Sequence, residues 1–168
     1  MKSPENHPSD DSAALDFDML RAADEVIMAF ERAGVRYALA GGFAVAIYGR
    51  IRATKDIDFL CHPDDLDRAA TGLAEAGYRR CAEPWTFNNT AMSLHRFLKP
   101  SRDPELFHVV DILVPPPDRI HWILAAERVA WGPRDAVTVV SKAHLVEMKK
   151  LRGSATDRND IDFLEGRM

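Results

Sequence analysis

Amphipathic helical segments alternate with short apolar runs along this chain, and this alternation limits the available folds more than any other feature. Residues 15–30 carry apolar side chains at three- and four-residue steps, as a helix with one buried face does, and Gly34 can end that helix. The run over 35–40 predicts a strand, and a short buried helix follows over 43–48. This order predicts an α/β (α+β) fold in which helices flank one mixed sheet.

The same alternation continues to the end of the chain. It predicts strands over 56–60, 106–114 and 135–140, with β segments within 78–98 around an Asn88-Asn89 turn. It also predicts helices from Pro63 to Gly77, over 118–127 and over 142–152, the last capped by Ser141. A capping Asp157 begins further helical turns that end at Leu164. We expect residues 1–12 to form a disordered tail. Residues 13–168 then form a single domain with a short helical C-terminal part over about 141–165.

The composition is that of a globular protein. A length of 168 residues fits one domain, and 46% hydrophobic with 29% charged residues exclude wholesale disorder. The net charge of −4 argues against a protein that coats nucleic acid non-specifically. Two cysteines, Cys61 and Cys81, make no disulfide framework, so we expect buried thiols in a reduced, cytoplasmic protein. Neither a secretory signal nor an apolar run long enough to cross a membrane is expected.

Asp56 and Asp58 alternate with apolar residues in the predicted strand Asp56-Ile57-Asp58-Phe59-Leu60. Because side chains in a strand repeat every two residues, both carboxylates project from one face, with Cα atoms roughly 6.5–7 Å apart. Two such carboxylates stay ionised together only if positive charge lies between them, and Mg²⁺ prefers oxygen ligands of this kind. The simpler alternative is a strand with one face in water.

A third carboxylate, Asp111, interrupts the apolar run Phe107 to Val114. Flanked by Val110 and Ile112, it is costly to bury unless it is paired or bound to a metal. If this strand lies beside the first, Asp111 completes a three-carboxylate cluster. If it lies elsewhere, the aspartates are only scattered surface residues.

Gly41-Gly42 stands between the first predicted strand and the short helix that follows. A glycine pair lets the backbone approach a ligand closely and leaves N–H groups at the helix N-terminus, where phosphate can bind. Alone, such a pair more commonly marks a tight turn. Together with the carboxylates, it places phosphate donors and metal ligands at one edge of a sheet.

The series Gly41-Gly42, Arg52-x-Thr54-x-Asp56-x-Asp58 and a later Asp111 resembles the signature of the nucleotidyltransferase superfamily with the DNA polymerase beta-type fold. The form of the motif is especially similar to small bacterial nucleotidyltransferases of the AbiEii kind, which are toxins of type IV toxin–antitoxin pairs. The stretch Lys149 to Ile161 also resembles their C-terminal K…D-x-x-D motif.

This resemblance implies a nucleotidyltransferase-like domain that moves a nucleoside monophosphate from an NTP to an acceptor and releases pyrophosphate. Asp56 and Asp58 would hold two Mg²⁺ ions, and Asp111 would bind the metal at the attacking oxygen and could accept the acceptor's proton. Gly41 and Gly42 would cradle the triphosphate. The acceptor is open between a tRNA end, a protein and a small molecule, and the partner between an antitoxin and a second copy of the chain. A non-catalytic nucleotide- or partner-binding module on the same fold is the alternative.

Three further residues are candidates for nucleotide binding, each with a structural alternative. Arg52 can meet phosphate oxygens or merely offset the aspartate pair, and Thr54 can bond a phosphate or cap the strand entry. Lys149 can reach the triphosphate or complement the dipole of its helix. Asp157 and Asp160 could position that lysine. The six histidines show no metal-ligand spacing, and the scattered tryptophans favour packing.

Overall fold

A computed structural model describes residues 11–87, 90–132 and 134–168. Its helices and strands alternate as the sequence predicts, and the expected mixed sheet flanked by helices is confirmed. The strands are β1 Tyr37–Ala40, β2 Asp56–Cys61, β3 Arg79–Arg80, β4 Trp85–Thr86, β5 Ser93–Pro100, β6 Phe107–Val114, β7 Glu127–Trp131 and β8 Arg134–Val139. The α-helices are α1 Asp11–Ala33, α2 Gly41–Ile47, α3 Leu66–Glu75, α4 His121–Leu124, α5 Lys142–Arg152 and α6 Ala155–Leu164, with 3₁₀ turns at Pro63–Asp65 and Pro117–Arg119.

The described strands form one sheet in the order β3-β5-β6-β2-β1-β8-β7, and β4 also pairs with β5. Strands β2 and β6 run parallel at its centre, as do β1 and β8, whereas the other pairs are antiparallel. The parallel β2–β6 pair brings together two segments that are far apart along the chain. This pairing positions the site described below.

The two faces of the sheet carry different residues because side chains alternate along each strand. On one face, Phe30 of α1 packs edge-on against Phe59 of β2 at 5.3 Å between ring centroids, and both contact Tyr37. These rings are almost completely buried, and α3 packs against α1 over them. The other face of β2 carries Asp56 and Asp58, opposite helix α5.

One predicted helix is wrong. Instead of a helix over 118–127, the chain forms a 3₁₀ turn and the four-residue α4, and then enters strand β7. In β7, exposed Arg128 and Ala130 alternate with half-buried Val129 and Trp131, which is the two-residue period of a strand. Gly132, at φ +51°, begins the turn into β8. Strand β7 therefore pairs with β8 in an antiparallel hairpin.

Two smaller predictions also need correction. Ser154, and not Asp157, caps α6, because its Oγ accepts the Asp157 N–H while the Asp157 carboxylate accepts the Ser154 N–H. Cys81 is exposed rather than buried, since it follows the edge strand β3, whereas Cys61 is buried as expected. The predicted cap of α5 by Ser141 is confirmed.

Some expectations fall outside the described residues. Residues 1–10 of the predicted tail and the Asn88-Asn89 turn belong to this group. Among the helices that the structure describes, none combines the length and the apolar character that crossing a membrane requires.

Candidate active site

Three carboxylates and one arginine meet on one face of the central strands. In the parallel β2–β6 pair, Asp58 lies opposite Asp111, and in the antiparallel β5–β6 pair, Asp111 lies opposite Arg96. Ala40, the last residue of β1, lies opposite Asp58 on its other side. Because neighbouring strands are about 4.8 Å apart, these residues form a short row across the sheet. Asp56 stands two residues before Asp58, on the same face.

Arg96 binds two of the three carboxylates. Its Nε and Nη2 donate to the two oxygens of Asp111, each at 2.8 Å, and Nη2 also lies 3.5 Å from Oδ2 of Asp56. Asp111 is 2% exposed, whereas Asp56 and Arg96 are only half-buried. A two-pronged contact of this kind fixes the plane of the Asp111 carboxylate.

The cluster carries more negative charge than Arg96 balances. Burial, Asp111 and Asp56 together raise the pKa of Asp58 to about 7. Burial and Asp111 also raise the pKa of Asp56, although Arg96 opposes the shift. The hydrogen bonds to Asp111 raise the pKa of the Arg96 guanidinium, so it stays charged. A further cation at Asp58 would therefore be strongly favoured.

Gly41 is in close contact with Asp58. It opens α2 at φ +60°, and a Cβ built on it would lie 1.9 Å from Oδ2 of Asp58. Only glycine fits there, because other residues rarely adopt this backbone angle and because there is no space for a Cβ. The preceding Ala40 gives α2 no side-chain cap, so its first N–H groups have no side-chain acceptor from that position.

Gly42 packs against the loop that precedes β2. A Cβ at Gly42 would lie 2.9 Å from Oγ1 of Thr54 and 3.2 Å from Nη1 of Arg52. Thr54 Oγ1 donates to the Asp56 carbonyl at 3.1 Å, which is the strand-entry cap that the sequence offered as its structural alternative. The glycine pair and the R-x-T loop are thus one packed unit.

Lys149 and Arg52 share a buried aspartate. Lys149 Nζ donates to Asp160 at 2.8 Å and lies 3.6 Å from Asp157, while Arg52 donates Nε and Nη2 to Asp160 at 3.1 and 2.8 Å. Both aspartates are completely buried. Although burial opposes ionisation, hydrogen bonds from Arg52 and Lys149 lower the pKa of Asp160, and those from Arg152 and Ser154 lower that of Asp157 to about 2.

Lys149 is thus held by α6 and does not complement a helix dipole in solvent, since its side chain is 4% exposed. Its position between Asp160 and the cavity leaves it at the wall of the site. Asp157 and Asp160 do position this lysine, and Asp157 completes a capping box as well.

A cavity of about 440 Å³ opens above the carboxylate row. The charged residues of its lining are Asp56, Asp58, Arg96, Asp111, Lys149 and Arg152. Its apolar lining, here called the apolar half, includes Trp85, Phe87, Met92, Leu94, Met148 and Leu151. Gly41 lies at its edge, whereas Gly42, Arg52 and Thr54 stand behind that wall.

The sequence prediction did not include Arg96, Arg152 or the apolar half of this cavity. A basic residue at Arg96, between Leu94 and Leu98 in an apolar strand, is a signal that could have pointed to a buried charge partner. Trp85 is not a core residue, since it is 38% exposed and its ring stacks 5.4 Å from the Arg96 guanidinium. Trp122 is buried, as the packing interpretation predicts.

Comparison with solved structures identifies the architecture. A nucleotidyltransferase-like protein from Paracoccidioides brasiliensis superposes with a TM-score of 0.61 at 20% identity, over 88% of this chain and 75% of that one. The chain has the nucleotidyltransferase fold. The lincosamide antibiotic adenylyltransferase LnuA, in its lincomycin-bound form, shares this fold at a TM-score of 0.56 and 17% identity, over 95% of this chain and 98% of that one. No protein-family model matches the chain, and no curated protein matches it.

A third structure of the nucleotidyltransferase fold is ANT(2″)-Ia in complex with adenylyl-2″-tobramycin. It superposes with a TM-score of 0.56 at 12% identity, and the match covers 86% of each chain. Two of these three structures are therefore of proteins seen with an antibiotic or an adenylylated antibiotic.

The donor set of this nucleotidyltransferase-fold chain fits a divalent cation of the magnesium class. Asp56, Asp58 and Asp111 offer carboxylate oxygens alone, the hard donors that Mg²⁺ prefers at about 2.0–2.1 Å. Burial and the charges of Asp111 and Asp56 raise the pKa of Asp58, and a bound cation would offset that charge. The described lining of this cavity contains no histidine or cysteine, the residues that zinc and copper sites usually require.

Proposed function

We propose that this protein is a magnesium-dependent nucleotidyltransferase that moves a nucleoside monophosphate from an NTP to a hydroxyl or phosphate acceptor. The observation that carries the proposal is the row of Asp58, Asp111 and Arg96 across three neighbouring strands, with Asp56 on the same face and Gly41 packed on Asp58. A protein that only binds a nucleotide has no need for three carboxylates at one point. The non-catalytic alternative is therefore the weaker explanation.

In this proposal, Asp56 and Asp58 would hold two Mg²⁺ ions, and Asp111 would share the one nearer the acceptor. When bound, such a pair of ions neutralises charge on the attacking and leaving oxygens. The acceptor oxygen forms a bond to the α-phosphorus, the bond from that phosphorus to the bridging oxygen breaks, and pyrophosphate leaves. Asp111 accepts the acceptor's proton, and its plane is fixed by Arg96.

The triphosphate would bind along the charged wall of the cavity. Gly41, at the start of α2, lines this wall together with Lys149 and Arg152, and Gly42 stands directly behind it. Arg52 and Thr54 stand one layer behind, so we propose that they act by holding the glycine pair and Lys149 in place. This differs from direct phosphate binding, which the motif alone implies.

The apolar half of the cavity favours a small-molecule acceptor over a tRNA end or a protein. Trp85, Phe87, Met92 and Met148 offer flat and flexible apolar contact within reach of the carboxylates. A chain of net charge −4 also lacks the electrostatic attraction that a long nucleic acid requires. The lincomycin-bound and adenylyl-tobramycin structures that share the fold support the same choice.

The test is incubation with each α-labelled NTP and Mg²⁺, together with pools of small metabolites and antibiotics, tRNA and proteins. Asp58→Ala and Asp111→Asn should abolish transfer, whereas Asp162→Asn, a surface carboxylate on α6, should leave it unchanged. Mass spectrometry of the labelled product identifies the acceptor class. No transfer from any NTP to any pool, or undiminished transfer by Asp58→Ala, would count against the proposal.

A toxin role in a toxin–antitoxin pair remains a prediction from the sequence motif. It rests on the similarity of Gly41-Gly42 and Arg52-x-Thr54-x-Asp56-x-Asp58 to toxins of the AbiEii kind. Expression in a bacterial host tests it directly. Growth arrest by the wild type but not by Asp58→Ala would support it, and equal growth of both strains would contradict it.

A further inference from the structure

Three side chains with metal-binding atoms meet outside the cavity, between α4 and α5. One nitrogen each from His121 and His144 and one oxygen of Glu147 all lie within 4.8 Å of one another. His144 and Glu147 stand three residues apart on α5 and so share a face of that helix, and His121 opens α4. No spacing along the chain indicates this cluster, because packing of α4 on α5 creates it.

The three groups lie near enough to one another to reach a common ion. His121 Nε2 lies 4.0 Å from Glu147 Oε2, and the two histidine rings stand 5.0 Å apart between centroids. Donors around a tetrahedral zinc are about 3.3 Å apart, since each bond is close to 2.0 Å. Closing the cluster therefore takes movements of about 0.7–1.5 Å, and the side chains of His121 and Glu147, which are about half-exposed, have room to rotate.

The surroundings already orient two of the three groups. Trp122 Nε1 donates to Glu147 Oε2 at 2.8 Å from a ring that is almost completely buried. The backbone N–H of His144 donates to the capping Ser141, which fixes the start of α5. Within the described part of the chain, the buried Nδ1 of His144 has no hydrogen-bond partner, so no described group competes for that nitrogen. A hydrogen bond that holds a ligating carboxylate in place, as Trp122 holds Glu147, is typical of metal sites.

We propose that His121, His144 and Glu147 bind one borderline transition-metal ion of the zinc class, with water in the remaining position. Two imidazoles and a carboxylate suit zinc, nickel or cobalt, whereas the all-carboxylate cluster at Asp58 suits magnesium. The ion ties α4 to α5. Because α5 also carries Met148 and Lys149, the bound ion holds one wall of the cavity in place. This site is separate from the proposed transfer reaction and does not depend on it.

The test is calorimetric titration of ZnCl₂ into the full chain in excess Mg²⁺, which occupies the carboxylate cluster. We expect one equivalent to bind, with Co²⁺ giving the visible absorption of a nitrogen- and oxygen-ligated ion. His144→Ala should weaken binding at least 100-fold, and Trp122→Phe, which removes only the donor to Glu147, about 10-fold. Asp58→Ala should bind Zn²⁺ as the wild type does, and so should Glu75→Gln, a control at an exposed position of α3.

Circular dichroism checks that each variant is folded. Since His121 is exposed, His121→Ala serves where His144→Ala does not fold, and the same loss of affinity is expected. The proposal is overturned if the wild type binds no Zn²⁺ at micromolar concentrations. It is overturned equally if a folded His121→Ala variant keeps wild-type affinity, or if Asp58→Ala is the variant that loses it.

Discussion

Gly41 and Asp58 are in such close contact that one added methyl group tests how the site is built. Gly41→Ala places a Cβ 1.9 Å from the Asp58 carboxylate and forces alanine to φ +60°. We expect destabilisation on the order of 3 kcal/mol and loss of stabilisation by Mg²⁺. Urea unfolding with and without Mg²⁺ measures both.

Gly34→Ala is the matched control for this variant. Gly34 has nearly the same backbone angle, φ +66°, but no described atom lies within 4 Å of a Cβ built there. Gly34→Ala should therefore lower the free energy of unfolding by only about 1–2 kcal/mol, the cost of a left-handed backbone at alanine, and should keep the stabilisation by Mg²⁺. Equal behaviour of the two variants would show that backbone strain alone, and not the contact with Asp58, explains the effect of Gly41→Ala.

The ionisation of Asp58 makes stability depend on pH. Its pKa is about 7 in the folded protein against an ordinary 3.8. The contribution of the protonated side chain to the free energy of unfolding is therefore complete below pH 3.8 and is lost as pH rises through 7. Asp58→Asn removes that loss. In EDTA, the variant should be more stable than wild type by about 2–4 kcal/mol at pH 8 and by much less at pH 5.

Urea unfolding at the two pH values checks this, with Asp162→Asn as the control for removing a surface carboxylate. If the free energies of unfolding of the wild type and Asp58→Asn fall in parallel between pH 5 and pH 8, the pKa of Asp58 is not raised in the folded protein. Excess Mg²⁺ should reverse the order at pH 8, because the ion binds only where Asp58 is present.

At this residue scale, the sequence predicted the carboxylates but not their charge partner. Alternation places Asp56 and Asp58 on one face whatever the rest of the chain does, and a lone Asp111 in an apolar run is too costly to leave unpaired. Arg96 stands out as a basic residue in an apolar strand, but the sequence does not tell which carboxylate it pairs with, because that depends on the register of β5 against β6 that sets it opposite Asp111. Register follows from the whole sheet and not from one strand.

Helices α5 and α6 are joined by a buried ionic contact that a single substitution can remove. Asp160→Asn leaves the buried Lys149 and the partly buried Arg52 without the carboxylate that accepts from both. Breaking one side of a buried pair costs about 3–5 kcal/mol. Asp162→Asn, on the same helix but in an exposed pair with Arg167, should cost at most about 1 kcal/mol.

The two unfolding free energies are compared directly by urea titration at pH 7. If Lys149 acts on the nucleotide, Asp160→Asn should also raise the KM for the NTP more than it lowers kcat, because binding of the triphosphate loses its positioned ammonium. If Asp160→Asn loses no more stability than Asp162→Asn, the ionic contacts of Asp160 do not stabilise the packing of α5 against α6.

At the element scale, prediction from sequence succeeded where a segment has one clear period, including the short helix α2, and failed where it has none. The helix over 15–30 and the apolar strands carry strong repeats, whereas the stretch 118–127 has a mixture of apolar residues that fits neither period clearly. Pairing with β8 decides the outcome for β7, because a tertiary partner outweighs local propensity. The cap of α6 was missed because Ser154 and Asp157 act together as one capping box.

The whole molecule assembles its candidate site from distant parts of the chain. Asp58 and Asp111 meet only when the parallel β2–β6 pair forms, and α3 with three further strands lies between them in sequence. Because closing a loop of this length costs entropy, we expect the two carboxylates to converge after the rate-limiting step of folding. Mg²⁺ together with a non-hydrolysable NTP analogue should therefore slow unfolding and leave the refolding rate nearly unchanged.

Stopped-flow unfolding and refolding in urea measure the two rates separately. Faster refolding in the presence of the ligands would show that the carboxylates already converge in the transition state. Asp58→Ala, which has no full cluster, is the control and should show neither change.

The central parallel pair also has a consequence during synthesis. A ribosome that has released β1 and β2 has delivered the glycine pair and two of the aspartates, but the strand that carries the third is still untranslated or inside the exit tunnel. A nascent chain at that stage thus lacks the complete carboxylate cluster. The cluster forms only once β6 has emerged and inserted between β5 and β2, so under the proposed function no transfer is expected before that point.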